Sequence, residues 1–144
     1  MIKYEFRDMN EAEFAREQKA FDEHSLESGN PIEEQERFGF VATENGVFVG
    51  CSSGLAQKWS SGYSQYFYLS DLLVEKDYRR RGIGKILLAK LEDKVKRLGV
   101  KYIWTWTAEY EGEQFYLKQG YEIFTRQKNF YQSGHSRVGL IKEI

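Results

Sequence analysis

The chain has 144 residues, which fits one compact domain and leaves little room for a second core. Hydrophobic residues make up 41% of it and aromatic residues 16%, a composition typical of a folded chain rather than a disordered one. The 21 basic and 22 acidic side chains leave a net charge of −1, which argues against a global field for nucleic acids or membrane surfaces. Any binding site for an anion must therefore be built locally.

Neither a targeting segment nor a metal site is expected. No apolar run approaches the roughly 20 residues that span a bilayer, and the first residues, MIKYEFRDMNEAEF, lack the apolar core of a signal peptide. The single cysteine, Cys51, excludes an internal disulfide and a multi-cysteine zinc site. His24 and His135 stand alone, without the spacing of metal ligands. We expect a cytoplasmic protein that holds no metal.

The first half of the chain predicts a strand, a helix and a run of hairpins. Residues 2–7, IKYEFR, alternate apolar and polar as a strand does, and the following segment predicts a helix that starts near Asn10. Asn45 and Gly46 lie between two β-rich runs and predict a hairpin, because both residues tolerate positive φ. A second turn, WSSG, leads into a long strand over residues 63–74, which ends at the loop DYRRRG.

The second half alternates helices and strands. Five apolar residues recur at spacings of four, four, four and three and predict one buried stripe on a helix that Gly99 ends; they are Ile83, Leu87, Leu91, Val95 and Leu98. VKYIWTWT then predicts a strand, GEQFYLKQ a short helix, and YEIFTRQ and RVGLIKEI two last strands. The predicted order is β-α-β-β-β-α-β-α-β-β.

The loop between the long strand and its helix predicts an anion site. A strand that runs into a glycine-rich turn and a helix N-terminus points several backbone N–H groups at one place, where the helix dipole also favours negative charge. Gly82 and Gly84 allow close approach of a ligand to the backbone, and Lys85 adds charge beside three arginines. The P-loop and dinucleotide-binding patterns both fail here. The alternative is a tight turn with a solvated basic rim.

Two motifs carry a family resemblance. LSDLLVEKDYRRRGIGKILL resembles the acetyl-CoA signature of the GNAT (Gcn5-related N-acetyltransferase) superfamily, whose pattern is Arg/Gln-x-x-Gly-x-Gly/Ala after a strand ending in aliphatic-x-Val. The pattern reads here from Arg79 to Gly84, with Leu72 and Val74 in the strand. FYLKQGYEIF is similar to the family's second signature, Phe/Leu-Tyr-x-x-x-Gly-Phe/Tyr.

This resemblance implies both a fold and an activity. The fold is α/β of the α+β type, with a mixed central sheet of about seven strands, helices on both faces, and residues 1–144 as a single acetyltransferase domain. The activity is acetyl-CoA-dependent transfer of an acetyl group to a primary amine by direct attack in a ternary complex. A ping-pong route is disfavoured, because Cys51 lies in an early strand away from the loop.

The resemblance also assigns the coenzyme contacts. Amides of the loop hold the coenzyme A pyrophosphate, which gives backbone roles to Arg79, Arg80, Arg81, Gly82, Ile83, Gly84 and Lys85. Backbone groups of Leu72, Leu73 and Val74 lie along the pantetheine arm and polarise the thioester carbonyl, as an oxyanion hole does.

Two residues are candidates for proton transfer. By the resemblance, Tyr116 points at the thioester sulfur, and a phenol with a pKa near 10 can protonate a leaving thiolate; the alternative for a tyrosine is amphipathic packing. Asp71 interrupts an apolar run, YLSDLLV, and is either a base for the acceptor amine or a carboxylate that bonds the backbone at a bulge in its strand.

The acceptor is expected to be a small-molecule or peptide amine. Glu109 and Glu111 follow the fifth predicted strand and could attract a cationic amine or cap a helix, while Tyr66 is a candidate pocket wall. The family often has asparagine and alanine where this chain has Glu109 and Gly112, so a non-catalytic acyl-CoA-binding regulatory module is the alternative function. Binding to nucleic acid or membrane is not expected, and a homodimer is among the expected assemblies.

Overall fold

The computed structural model describes residues 1–32 and 34–144, which belong to two compact units that divide at residue 33. In the first unit the helix α1 (Glu11–Glu27) begins at the predicted place. The Asn10 side chain accepts a hydrogen bond from the Glu13 amide at 2.9 Å, and the Glu13 carboxylate accepts one from the Asn10 amide at 2.9 Å. This reciprocal cap satisfies two amides that the start of a helix leaves unpaired.

Residues 2–7 do not form a strand, so that part of the prediction is wrong. Six strands make up the sheet of residues 34–144, where about seven were predicted for the chain. Ile2, Tyr4 and Phe6 are exposed. Alternation of apolar and polar residues specifies which side chains share a face, but a strand also needs a neighbour that takes its backbone hydrogen bonds.

The second unit opens with three antiparallel strands joined by tight turns. They are β1 (Glu34–Glu44), β2 (Val47–Trp59) and β3 (Gly62–Val74). Asn45 and Gly46 adopt φ angles of 51° and 79°, the left-handed conformation that a two-residue hairpin turn requires. Both predicted hairpins are confirmed.

The remaining elements complete a mixed sheet. α2 (Ile83–Arg97) connects β3 to β4 (Tyr102–Ala108), and these two strands are parallel. α3 (Glu113–Lys118) leads to the antiparallel pair β5 (Glu122–Gln127) and β6 (Arg137–Glu143), and β6 lies between β4 and β5. The strand order is β1-β2-β3-β4-β6-β5, so the second unit is an α+β fold in which helices flank one sheet.

The core lies between the sheet and the helices. Leu87, Leu91 and Val95 of the predicted stripe are buried, together with Leu88. Leu88, Leu91 and Val95 pack in one cluster with strand residues such as Phe67. Each fully buried side chain of this size stabilises the fold by about 1.5–3 kcal/mol relative to exposure. The cluster fixes α2, and with it the loop at the start of α2, against the sheet.

β3 and β4 part before β3 ends. Their pairing covers residues 66–68 with residues 102–104, while β4 stays paired with β6 as far as Ala108. The Thr105 hydroxyl donates to the Leu69 carbonyl at 2.8 Å where the two strands separate. Next to it, Ser70 is an extra residue in β3, because Leu69 and Asp71 pair with adjacent residues of β2. The last residues of β3 therefore have no partner strand on the β4 side.

Candidate functional site

An open cleft of about 830 Å³ lies where β3 and β4 have separated. Its walls come from the end of β3, the loop before α2, the first turn of α2, and the loop and helix that follow β4. The lining residues are Leu72, Leu73, Val74, Tyr78, Arg79, Arg80, Gly82, Ile83, Gly84, Lys85, Thr107, Tyr110, Glu111, Gly112, Phe115 and Tyr116. The volume is that of a ligand pocket, typically about 300–1,000 Å³.

The glycine-rich loop presents backbone amides to this cleft. Arg80 and Gly82 adopt left-handed φ angles of 63° and 79°, the conformation found in anion-binding concavities formed by successive N–H groups. α2 begins directly after Gly82, with no side-chain cap on its first amides. A Cβ added to Gly82 would meet no atom within 4 Å, so the space in front of this residue is open. The geometry suits a bound anion.

The basic side chains of the loop divide into two groups. Arg79 donates from Nε to the Val74 carbonyl at 3.0 Å, which ties the loop to the end of β3. Arg81 donates to the Asp77 carbonyl at 3.2 Å, and its guanidinium lies 4.9 Å from the centre of the Tyr78 ring. Arg79, Arg80 and Lys85 line the cleft, whereas Arg81 is not among the lining residues. The basic rim therefore combines ligand-facing charge with loop support.

Tyr116 forms the inner part of the cleft. It is 6% exposed and belongs to the core cluster, yet it also lines the cleft. Burial raises the pKa of its phenol to about 12, because ionisation would place a charge in an apolar environment, and Thr105 opposes this shift. The phenol keeps its proton at neutral pH and can donate it.

Gly112 allows Tyr116 to take this position. A Cβ on Gly112 would lie 2.8 Å from the Thr107 hydroxyl and 3.0 Å from Cε2 of the Tyr116 ring, both closer than ordinary contacts. The absence of a side chain at Gly112 thus lets the ring pack against the backbone at the start of α3. This contact gives a local reason for glycine where the family often has alanine.

Asp71 lies next to the bulge, outside the residues that line the cleft. Its Oδ2 accepts hydrogen bonds from Arg37 at 2.9 Å and from the Ser70 hydroxyl at 2.6 Å. Roughly half of each side chain in the ion pair is exposed. Asp71 therefore holds the bulge to β1 across β2.

The candidate acceptor residues are dispersed. Glu111 lines the cleft, but Glu109 is turned away from it and accepts hydrogen bonds from the Ser136 amide at 2.8 Å and from Arg126 at 3.1 Å. Tyr66 lies in the part of β3 that still pairs with β4, and its ring stacks on Tyr102 at 4.8 Å. Of the three, the structure brings Glu111 together with the coenzyme candidates.

Four side chains of the cleft were not assigned to a site from the sequence. They are Tyr78, Thr107, Tyr110 and Phe115. Tyr110 and Phe115 adjoin Glu111 and Tyr116 in sequence, which could have identified them. Tyr110 also packs against the His135 ring at 4.9 Å. Tyr78 and Thr107 gave no signal, because their place depends on a turn and on the separation of two strands.

Metal and membrane sites were also sought in residues 1–32 and 34–144. No group of three or more His, Cys, Asp or Glu side chains in these residues could hold a metal ion. None of the helices found there is long and apolar enough to cross a membrane.

The comparison with protein families identifies the fold that surrounds this cleft. The family model described as "Acetyltransferase (GNAT) family" matches residues 3–121, most of the chain. The chain belongs to this family. Its glycine-rich loop and Tyr116 both fall inside the matched residues, so the two GNAT signatures form walls of one cleft. No curated protein matches the chain.

Several solved structures, including ones named as acetyltransferases, resemble the chain over most of its length. An acetyltransferase from Bacillus cereus has a TM-score of 0.81 at 19% identity, with 98% of each chain covered. An aminoglycoside 6'-N-acetyltransferase, solved with coenzyme A, has a TM-score of 0.62 at 23% identity, with 84% of this chain and 78% of that one covered. Naa50 of Arabidopsis thaliana, solved with the bisubstrate analogue CoA-Ac-MVNAL, has a TM-score of 0.60 at 26% identity, with 72% and 71% covered.

Proposed function

We propose that the protein is an acetyl-CoA-dependent N-acetyltransferase that transfers the acetyl group to a primary amine by direct attack in a ternary complex. The observation that carries this proposal is that one cleft joins an anion-binding loop to the buried phenol of Tyr116. Membership of the GNAT family supports acyl transfer, and two similar structures contain coenzyme A or an analogue of it.

The cleft has the groups that coenzyme A requires. The pyrophosphate would lie on the amides of residues 80–85, in front of Gly82, with Arg80 and Lys85 beside it. Residues Leu72 to Val74 have no partner strand on the β4 side, and the Val74 carbonyl already accepts a hydrogen bond from Arg79, so the other backbone groups that face the cleft can bond the pantetheine arm and the thioester carbonyl. Acetyl-CoA is in this way a cosubstrate held mainly by backbone.

The reaction needs a neutral amine and a proton for the leaving thiolate. A primary amine with a pKa near 10.4 loses its proton at neutral pH at a cost of roughly 4–5 kcal/mol, which a nearby carboxylate or water lowers by accepting the proton. The nitrogen attacks the thioester carbon, and the tetrahedral intermediate collapses as the C–S bond breaks. Tyr116 donates its proton to the sulfur as this bond breaks, and the phenolate then takes a proton from solvent; the raised pKa keeps the phenol protonated until the transfer.

The acceptor is proposed to enter near Glu111. Arg80 and Lys85 make the coenzyme end of the cleft basic, while Glu111 is the acidic residue among its lining. A cationic amine is attracted to a carboxylate and repelled by arginines, so charge alone orients the two substrates. Tyr66 and Glu109 lie outside this lining, so direct contact with the acceptor is proposed for Glu111 and not for these two residues.

Asp71 keeps two proposed roles. As a base it would have to exchange its bonds to Arg37 and Ser70 for one to the amine or a water. As a structural carboxylate it would only fix the bulge. Asp71→Asn separates them: a turnover loss with unchanged folding stability supports the base, and a stability loss with unchanged turnover supports the structural role.

The first experiment is a calorimetric titration of the protein with acetyl-CoA, followed by a thiol-release assay against small-molecule amines and short peptides. Saturable binding with acceptor-dependent release, and an acetylated product of the expected mass, would establish the transferase. Binding without release across the panel would favour the regulatory module, and no binding would overturn both functions. Tyr116→Phe should then lower kcat about 100-fold or more while coenzyme affinity stays unchanged.

A further inference from the structure

Three segments of the chain meet at the Arg126 side chain on β5. One guanidinium nitrogen donates to Glu109 Oε2 at 3.1 Å, in the loop after β4, and the other donates to Glu113 Oε1 in the first turn of α3. The second oxygen of Glu109 accepts the Ser136 amide at 2.8 Å, just before β6. The Glu113 side chain is 13% exposed and that of Arg126 35%. One arginine thus joins β5, α3 and the loop after β4, and Glu109 extends the network to the residue before β6.

The elements held by this network have little stability of their own. α3 has six residues and no side-chain cap, and isolated helices of that length do not persist in water. Without Arg126, the Glu109 and Glu113 carboxylates would face each other partly buried and without their shared cation. The arginine therefore adds to the core packing of Tyr116 in holding the loop and the start of α3 in place.

The same loop and helix carry the reactive side of the cleft. Tyr110, Glu111 and Gly112 belong to the loop, and Tyr116 lies one turn after Glu113 in α3. The Tyr116 amide donates to the Gly112 carbonyl at 3.0 Å, so a shift of the helix start moves the phenol as well. The glycine-rich loop at the other end of the cleft makes no contact with this network in its hydrogen bonds or ion pairs.

We propose that Arg126 is a positioning residue, which sets the Tyr116 phenol against the bound thioester by holding the loop after β4 and the start of α3 through its bonds to Glu109 and Glu113. The inference rests on the proposed acetyl transfer. It also accounts for Glu109, which stands where the family often has asparagine: a carboxylate offers one oxygen to Arg126 and the other to the Ser136 amide. Glu109 therefore acts on the site through its bonds to Arg126 and the Ser136 amide, and it does not contact the substrates.

The test compares Arg126→Ala, Arg126→Lys and the control Arg97→Ala. Arg97 forms an exposed ion pair with Asp93 on α2, so Arg97→Ala also takes an arginine away from an acidic partner, but at a place outside the cleft lining. Arg126→Ala should lower kcat about 10- to 100-fold, the effect of a misplacement near 1 Å, and leave acetyl-CoA affinity within about twofold. Arg126→Lys keeps the positive charge but cannot donate to both carboxylates with the planar geometry of a guanidinium. Its kcat should therefore lie between that of Arg126→Ala and that of the wild type.

A double-mutant cycle separates positioning from general weakening of the fold. If Arg126 acts through Tyr116, then Arg126→Ala should change kcat little in the Tyr116→Phe background. Multiplicative losses in kcat, or a fall in acetyl-CoA affinity that matches the fall in kcat, would overturn the proposal.

A readout without turnover keeps this test separate from the proposed function. Hydrogen exchange in Arg126→Lys should accelerate in residues 109–118 and stay unchanged in residues 79–97, with Arg97→Ala as the reference. The alkaline titration of Tyr116, identified by its loss in Tyr116→Phe, should shift down from its pKa of about 12 as the phenol becomes more exposed. Unchanged exchange and an unchanged phenol titration would overturn the proposal even if no acceptor amine had been found.

Discussion

Ionisation of the Tyr116 phenol should change the free energy of unfolding, which can be measured. Its folded-state pKa is about 12 and its unfolded value about 10, so the native state binds the proton more tightly. Stability from this group is complete below pH 10 and is lost as pH rises toward 12, because the unfolded chain ionises first. The full loss should approach about 2.8 kcal/mol, two pKa units at about 1.4 kcal/mol per unit, as the pH passes the folded-state value.

Urea unfolding of the wild type and Tyr116→Phe between pH 8 and about pH 12 measures this effect. The variant should lose less stability than the wild type above pH 10, since it lacks the group that titrates. Tyr121 contributes in the same direction in both proteins, because burial and Glu92 also raise its pKa. Parallel curves for the two proteins would show that the Tyr116 phenol is not protected in solution.

Gly82 and Gly84 offer a matched pair for the anion site. Gly82→Ala should cost about 1–2 kcal/mol of stability because φ is 79°, and its Cβ should weaken acetyl-CoA binding about 10- to 100-fold by blocking one or two charged-group hydrogen bonds. Gly84→Ala should instead stabilise α2 by about 1 kcal/mol, since its Cβ makes an ordinary contact with Val74 at 3.5 Å.

Calorimetric titration and thermal unfolding of both glycine variants check this contrast. The family signature accepts glycine or alanine at the position of Gly84, so this variant should keep its affinity. Equal affinities for acetyl-CoA in the two variants would contradict the placement of the pyrophosphate in front of Gly82.

Elements whose signals are local were predicted from the sequence. The turn at Asn45 and Gly46 and the helix α2 depend on residues close together in the chain, and both are present as predicted. Three of the five stripe residues of α2 are buried, and Ile83 and Leu98 are half-buried. Residues 2–7 were mispredicted because a strand depends on a partner that the segment itself does not specify. Local conformation can thus be inferred where the residues that enforce it are neighbours.

The candidate site was predicted to the extent that its motifs are contiguous. The glycine-rich loop and Tyr116 were found as motifs, and the cleft brings them together. The sequence could not show that Glu111 lines the cleft while Glu109 bonds Arg126. Arg126 is 17 residues from Glu109 in the chain, and only the folded sheet brings the two side chains together. For the same reason, the sequence could not show that Asp71 accepts a hydrogen bond from Arg37, which is 34 residues away in the chain.

An ion pair between α2 and β6 leads to a prediction about the stability of the fold. Lys142 Nζ lies 2.6 Å from Glu92 Oε2, and the two side chains are 27% and 15% exposed. Lys142→Met would leave the carboxylate partly buried without its cation, so the free energy of unfolding should fall by about 2–3 kcal/mol, less than the 3–5 kcal/mol of a fully buried pair. Chemical denaturation measures the difference.

The control for Lys142 is again Arg97→Ala, whose ion pair is exposed and should change stability by less than about 0.5 kcal/mol. The double variant with Glu92→Leu and Lys142→Met should be more stable than Lys142→Met alone, because no charge is then left unpaired. If Lys142→Met and Arg97→Ala lowered the free energy of unfolding equally, the ion pair between α2 and β6 would have to be as exposed to solvent as that of Arg97.

At the scale of the whole molecule, the question is whether residues 1–144 unfold as one domain. Two compact units divide at residue 33, but the family model runs from residue 3 to residue 121 and crosses that boundary. We propose a single acetyltransferase domain on this ground. Scanning calorimetry should then show one transition, with equal calorimetric and van't Hoff enthalpies of about 100 kcal/mol at about 0.7 kcal/mol per residue.

Binding of acetyl-CoA gives a second test of whether residues 1–144 unfold as one domain. The proposed site lies wholly within residues 34–144, so a ligand at 100 times its Kd stabilises those residues by about 2.7 kcal/mol. In a single domain the whole transition moves to higher temperature with acetyl-CoA. If residues 34–144 unfolded alone, a transition of roughly 80 kcal/mol would move and the remaining heat would stay where it was, because a ligand shifts only the unfolding equilibrium to which its site is coupled.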